Sequence, residues 1–327
     1  MKAKFVIFFV FLAAAALIFI TGVGYMFAPV DAAASDTISF VVPRGQSVAQ
    51  IGQRLADEGL VRHPLVFRLA VKQLGLDQKL QAGGFKVSPS MTPQQLATTL
   101  TQGTEDTWVT ILEGWRREEI AEYLAGQELG EFNASEFLAE SEGLEGKLFP
   151  DTYLIPQEIT AASMVQLLER TFETKVAQGL ATEISAYQTK TNRSLSEILV
   201  MASLVQREAR TYEQMRHVAG ILWNRIDLNM ALQVDATLQY VKGYNKAEKD
   251  WWSTPLAADK SLVSAYNTYL NPGLPPAPIA NPGIDAIKAT VMPLEVNDLF
   301  YIHAPDGTMY YAQTVEQHNA NVNQYLR

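Results

Sequence analysis

The sequence predicts an α+β protein: an N-terminal transmembrane helix, a small β-α-α-β unit, and a larger, mainly helical domain that includes a β-hairpin. Three observations carry that expectation. Residues 5–30 hold no charge. Strand, turn and helix signals alternate from Ile38 to about Leu100. Helix-period apolar patterns then dominate until Asp306-Gly307, the strongest short-range hairpin signal in the chain.

Phe5 to Val30 is a run of 26 uncharged residues, and about 20 helical residues suffice to cross the ~30 Å of bilayer hydrocarbon. Lys2 and Lys4 precede the run, while Asp31 and Asp36 follow it. That asymmetry keeps the N-terminus cytoplasmic and exports everything after residue 30, which puts the protein in the bacterial inner membrane as a single-pass chain. The small residues of Ala32-Ala-Ala-Ser35 leave a cleavable signal peptide as the alternative. The run exceeds the roughly 7–15 residues of a signal-peptide core, however, which favours a retained anchor at residues 1–30. The chain has no Cys, so disulfides, thiolate metal ligands and lipidated cysteines are excluded. A net charge of -9, with no basic stripe interleaved with aromatics, argues against nucleic acid as a partner.

Residues 31–37 are small and polar, a short linker. Ile38–Val42 then reads as a strand, Pro43-Arg-Gly45 as a turn, and Ser47 to Leu60 as an amphipathic helix carrying Val48, Ile51 and Leu55. His63-Pro64 ends that helix and starts another, with Val66, Phe67, Leu69, Ala70 and Leu74. After Gly83-Gly84, Phe85-Lys-Val87 is a second strand, and Thr92-Pro93 opens a third helix reaching about Leu100. These elements define a unit at residues 38–108. From Val109 to the C-terminus at residue 327, the expected helices are Ala161–Gln178, Ala181–Thr189, Ser194–Arg210, Glu213–Ile226 and about Thr314–Tyr325. Asp298–His303 and Thr308–Ala312 form the hairpin. Ser264 to Gly283, dense in Tyr, Asn, Pro and Gly, is a loop of the kind that lines a site.

Glu208 is the leading candidate for chemistry. Ser194 and Glu197 make a capping-box pattern that starts a helix at Leu195. At 100° per residue, Ile198, Met201, Ala202, Val205 and Ala209 share one face with Glu208 at its edge. Burial beside such side chains disfavours the carboxylate, giving an acid that holds its proton near neutral pH. The alternative is a Glu paired with Arg207, Arg210 or another cation at a helix end.

The motifs Glu113-Gly114, Glu145-Gly-Lys-Leu-Phe-Pro-Asp-Thr-Tyr153, Met201-Ala-Ser-Leu-Val-Gln-Arg-Glu208, Asn224-Arg225, Leu232-Gln-Val-Asp235, Ser264-Ala-Tyr-Asn-Thr-Tyr269 and Gly273-Leu-Pro-Pro276 together resemble the MltG/YceG-like endolytic murein transglycosylases. Pro278-Ile-Ala-Asn-Pro-Gly283, and Thr314 with Glu316, His318 and Asn319, extend the likeness over nearly everything after the anchor. The resemblance implies an enzyme cutting nascent peptidoglycan glycan strands between N-acetylmuramic acid and N-acetylglucosamine, leaving 1,6-anhydromuramic ends and terminating strand elongation. It implies a LysM-like unit at 38–108, a lysozyme-like catalytic domain at 109–327, Glu208 as the catalytic acid, no cofactor, and cell-wall synthases among the partners. This sequence has Gln206 where the family commonly has Glu. Residues two apart on a helix point about 160° away from each other, so Gln206 should not share Glu208's site.

Phe40-Val-Val-Pro-Arg-Gly-Gln-Ser-Val-Ala-Gln-Ile51 on its own resembles the opening of LysM-like modules, which bind N-acetylglucosamine polymers; sugar binding and a purely structural role both stay open for this unit. Gln233, Asp235, Tyr266 and Asn267 are candidate sugar or acetamido contacts, with loop scaffolding as the alternative. Glu113 and Glu145 suit a turn or helix start better than catalysis, Asp151 a turn cap, and Arg225 either orients a carboxylate or makes a surface pair. His63, His217, His303 and His318 form no His-Glu-x-x-His motif, so no metal is expected. Two rivals to the transglycosylase remain: a catalytically silent peptidoglycan-binding scaffold tethered to the membrane, and hydrolysis with Asp235 or Glu113 activating water.

Overall fold

The computed structural model describes residue 17 and residues 20–43, 45–102, 106–127 and 129–326. Most of the expected membrane span, residues 5–16, 18 and 19, lies outside the described residues; residues 20–27 are helical. Among the described residues, no helix is long and apolar enough to cross a membrane. The chain divides into two compact units, the first running to Trp108 and including Leu154–Gln157, the second comprising Val109–Tyr153 and Glu158–Arg327.

In the first unit β1 (Ile38–Val42) is followed by α1 (Val48–Asp57), α2 (Pro64–Leu74), β2 (Gly83–Val87) and α3 (Pro93–Thr99). The helix starts follow local chemistry. Ser47 and Thr92 close capping boxes with Gln50 and Gln95, and His63 Nδ1 accepts from the Leu65 N–H ahead of Pro64. Each satisfies an amide that the first helical turn leaves open. β1 and β2 are antiparallel with Phe40 opposite Phe85, and alternate residues of both strands join Ile51, Leu55, Phe67, Val71, Leu96 and Leu100 in one core. The chain preceding β1 is held to this unit, because the Arg62 guanidinium donates to the carbonyls of Tyr25, Pro29 and Val30.

The chain continues through β3 (Asp106–Thr110), α4 (Arg117–Ala125), α5 (Ala134–Glu140), β4 (Thr152–Pro156), α6 (Ala161–Phe172), a π-helical turn at Glu173–Gln178, α7 (Ala181–Thr191), α8 (Leu195–Glu208), α9 (Tyr212–Asp227) and α10 (Asp235–Lys242). After a 3₁₀ turn at Ala257–Ser261 come α11 (Ile284–Val291), the antiparallel hairpin β5 (Phe300–His303) and β6 (Met309–Ala312), and α12 (Val315–Tyr325). β3 pairs with β4. The architecture is therefore mixed helix and sheet, α+β, with a hairpin turning on Gly307 at φ 85°.

α8 lies at the centre of the second unit. Every residue from Ile198 to Val205 is buried, and α9, α10 and α11 all pack against it. The single apolar stripe read from the sequence is thus too narrow: the helix is enclosed on all sides, which its near-continuous apolar run permits. The sequence pattern also missed α5, β4, α10 and α11, and it merged α6 with the π-helical turn that follows it.

Candidate active site

α8 ends at Glu208, because Ala209 turns to an extended conformation at φ -142°, ψ 152°. The last carbonyls of a helix have no partner within it. Here the Glu208 carbonyl accepts from His303 Nε2 at 2.8 Å, so β5 caps the helix. The same strand supplies Tyr301, whose hydroxyl donates to Glu208 Oε2 at 2.9 Å. A cleft of about 480 Å³ opens over the carboxyl, lined among others by Arg225, Gln233, Asp235, Lys260, Tyr269 and His318.

Burial pushes the Glu208 carboxyl up to about 7. The Tyr301 hydrogen bond opposes this by favouring the carboxylate, the Asp235 charge adds to it, and the Arg207 charge and the Ala236 N–H oppose it. Burial, then the Glu208 charge, raise Tyr301 well above its ordinary value, so its hydroxyl stays a donor. Tyr269 donates to Asp235 Oδ1 at 2.6 Å, which holds that carboxyl at the start of α10. The neighbouring Gln233 has a left-handed backbone, φ 52°, costing on the order of 1–3 kcal/mol for a side chain of this kind. Its N–H donates to the Thr268 carbonyl, and its exposed side chain lines the cleft.

The structure brings Glu208, Gln233 and Asp235 together in one cleft and does not bring Tyr266 or Asn267 to it. Asn267 is fully buried. Its amide donates to the carbonyls of Lys260 and Leu262 and accepts from the Tyr269 N–H, which makes it the brace of its own loop. Tyr266 packs against Tyr240 with ring centroids 4.9 Å apart. Sequence reasoning did not single out Tyr301, Tyr269, His303 or Lys260 as site residues. Tyr269 lay inside a motif already noted, and Tyr301 and His303 lay on the hairpin strand; no spacing rule links them to a helix end some 90 positions earlier.

Gln206 occupies a different side of α8. Its Oε1 accepts from the Gly283 N–H at 2.9 Å, and it hydrogen-bonds Glu113, whose carboxyl is raised by burial and by the Asp285 charge. A Cβ at position 283 would overlap the Glu113 carboxyl, so a side chain there would displace Glu113 from Gln206. Gln206 and Glu113 do not line the Glu208 cleft. Glu145 is buried too: Asn281 donates to it at 2.6 Å, the Arg117 N–H at 3.2 Å, and burial pushes it up to about 8. It ties a turn together. Ser203 donates to the Val200 carbonyl and accepts from the Ile279 N–H, so among the described residues its hydroxyl bonds only main-chain groups.

A carboxyl raised to about 7 on the wall of a cleft of about 480 Å³ can serve as a proton donor near neutral pH. The sequence profile of the YceG-like family matches residues 40–324. The chain belongs to the YceG-like family. It is 28% identical over 338 residues to a Streptococcus pneumoniae protein named endolytic murein transglycosylase, the match covering 91% of this chain and 60% of that protein. A Bacillus subtilis protein of the same name is 26% identical over 325 residues, with 91% and 87% covered. The chain thus spans about 60% of the length of the pneumococcal relative. A crystal structure of a YceG-like protein from Listeria monocytogenes shares the fold, with a TM-score of 0.58 at 24% identity over 88% of this chain and 99% of that one.

Proposed function

We propose that this YceG-like chain is an endolytic peptidoglycan transglycosylase that cleaves the bond between N-acetylmuramic acid and N-acetylglucosamine within nascent glycan strands, with Glu208 as its acid. The observation that carries the reading is the Glu208 carboxyl, pushed by burial to about 7 and held by Tyr301 at the floor of a cleft. A glycosidase that hydrolyses needs a second carboxyl to act as nucleophile or to activate water. A transglycosylase uses the C6 hydroxyl of the muramic sugar, and a well-oriented internal nucleophile is worth an effective molarity of roughly 10⁵ M or more. Glu208 protonates the departing N-acetylglucosamine oxygen, then takes the C6 hydroxyl proton as the 1,6-anhydro ring closes. Asp235, its carboxyl held by Tyr269, lines the same cleft and is the group that faces the oxocarbenium-like centre. Gln233, exposed in the same cleft, offers donor and acceptor groups to the acetamido substituents.

The wider assignment follows from the same reading. The N-terminal run anchors the chain in the cytoplasmic membrane with its N-terminus inside. The unit before Trp108 is a LysM-like glycan-holding module, and cell-wall synthases deliver the strands. The relatives' shared name supports the reaction, and the uncharged run Phe5–Val30 supports the location.

The test is digestion of uncrosslinked glycan strands by the full chain, wild type beside Glu208→Gln, with the new ends weighed. The expected result is products lighter by one water than reducing ends, and a loss of at least about a hundredfold in rate for the variant. Reducing ends would replace the reaction by hydrolysis through an Asp235-activated water. Undiminished cleavage by Glu208→Gln would remove the proposed acid.

A further inference from the structure

Arg225 is a buried cation with no ion partner among the described residues. It is 6% exposed and sits in the last turn of α9. Its Nε donates to the Leu299 carbonyl at 2.6 Å, and one terminal nitrogen donates to the carbonyls of Leu232 at 2.7 Å and Ala231 at 3.3 Å. The other terminal nitrogen has no hydrogen-bond partner among the described residues, and the side chain lines the Glu208 cleft. Lys260 lines the same cleft from the 3₁₀ turn, exposed, with its Nζ 4.7 Å from the Tyr269 ring centre and likewise outside any ion pair. The acids of the cleft are engaged elsewhere, Glu208 by Tyr301 and Asp235 by Tyr269. The guanidinium also lies over the Phe300 ring, 5.0 Å from its centre, and a cation held on neutral groups at a cleft wall keeps a donor for an incoming anion.

The substrate of the reaction proposed above supplies one. N-acetylglucosamine is uncharged, whereas N-acetylmuramic acid carries on its O3 a lactyl ether that ends either in a free carboxylate or in a stem peptide with carboxylates of its own. We propose that Arg225 and Lys260 form a carboxylate subsite that reads the acidic substituent of the muramic residue. The subsite rests on the transglycosylase reading and adds to it a way of setting register. Alternating sugars present the same ring and acetamido groups, so a charge borne by every second sugar fixes which bond lies over Glu208. His318, on the same cleft wall, is pushed toward its neutral form by burial and by the Arg225 charge, so the positive charge of the subsite comes from Arg225 and Lys260.

Arg225 also braces the backbone at Leu232 and Leu299, so Lys260 is the residue to vary. Binding is read by calorimetry on the full chain carrying Glu208→Gln, which holds strands without cutting them. Three uncrosslinked strands are compared: one with free lactyl carboxylates, one with those carboxylates capped as methylamides, and one carrying stem peptides. The expected result is that at least one anionic strand binds on the order of tenfold tighter than the capped strand. That preference shrinks as salt is raised, falls several-fold on adding Lys260→Gln, and returns with Lys260→Arg. A preference confined to the peptide-bearing strand puts the carboxylate on the peptide; one confined to the free lactyl strand puts it on the ether. No preference over the capped strand, or a preference unmoved by Lys260→Gln, overturns the subsite whether or not the wild-type chain cleaves. Product ends from the wild type decide the reaction separately.

Discussion

Glu208 combines two opposed influences at one atom pair. Removal from water favours the neutral acid, while the Tyr301 hydroxyl favours the carboxylate, and the balance leaves the group near 7. In the proposed reaction, a proton held there leaves for a glycosidic oxygen and is recovered near neutral pH. The same balance has a cost in stability that can be measured without substrate. In the unfolded chain the group returns to about 4.3. Between that value and 7 the unfolded chain releases the proton while the folded chain keeps it, so unfolding becomes easier as pH rises. The stabilisation from proton retention is complete below about pH 4.3 and gone above 7. A glutamine never titrates, so Glu208→Gln should gain on the wild type by about 2 kcal/mol between pH 5 and pH 8. Thermal melts of the two proteins at both pH values check this, with the variant expected a few degrees higher at pH 8 than its offset at pH 5 implies. Glu145, pushed up to about 8 by burial, has the same sign but is common to both proteins and cancels. An offset independent of pH would mean that Glu208 is ionised in the fold at pH 5. Of this cleft, the sequence pointed to Glu208 and to the stretch holding Gln233 and Asp235. It did not reveal Tyr301 or His303, because a hydrogen bond between a helix end and a strand 93 residues away leaves no periodic trace.

At the scale of elements, what was legible is what short-range chemistry dictates. The capping boxes of α1, α3, α8 and α9 involve side chains three residues from their caps, and each marks a helix start within a residue or so of the sequence reading. The Asp306-Gly307 turn marks the hairpin for the same reason: its φ 85° demands glycine and Asp306 accepts from the Thr308 N–H. β4, α10 and α11 have five to eight residues each, too few for a periodic pattern to stand out, and they exist because other elements cover them. The all-round burial of α8 belongs to the same class, since it depends on α9, α10 and α11 closing over it. A test follows from that enclosure. Leu204 is fully buried on α8, and neighbours on every side cannot all collapse into a cavity, so Leu204→Ala should cost about 3–5 kcal/mol in denaturant unfolding. Leu69 on α2, 55% exposed, should cost under about 1 kcal/mol when changed to Ala. Equal costs would mean that α8 is not the centre of its unit.

At the scale of the molecule, the proposed anchor sets where the proposed reaction would take place. Residues 20–27 are helical, and Arg62 donates to the carbonyls of Tyr25 within that helix and of Pro29 and Val30 just after it. If a helix ran back from there through the uncharged run, Phe5 to Phe27 would give 23 residues, or about 35 Å at 1.5 Å per residue, enough to cross ~30 Å of hydrocarbon with some tilt. If the run is such an anchor, membranes carrying the protein should retain it through an alkaline carbonate wash, which strips proteins bound only at the surface. Deletion of residues 2–30 from a chain expressed with a separate, cleavable export signal should then release it to the soluble fraction with its glycan-cleaving activity kept. A cleaved signal peptide predicts a different pair of results: a wild-type chain that washes off, and a mature mass lacking the N-terminal residues. On the proposed function, intact mass and carbonate extraction therefore decide together between an enzyme confined to strands emerging at the bilayer and one free to reach the wall beyond it. For an endolytic cutter that distinction governs which strands it meets, because a tether limits the accessible glycan to the length that linker and folded units can span.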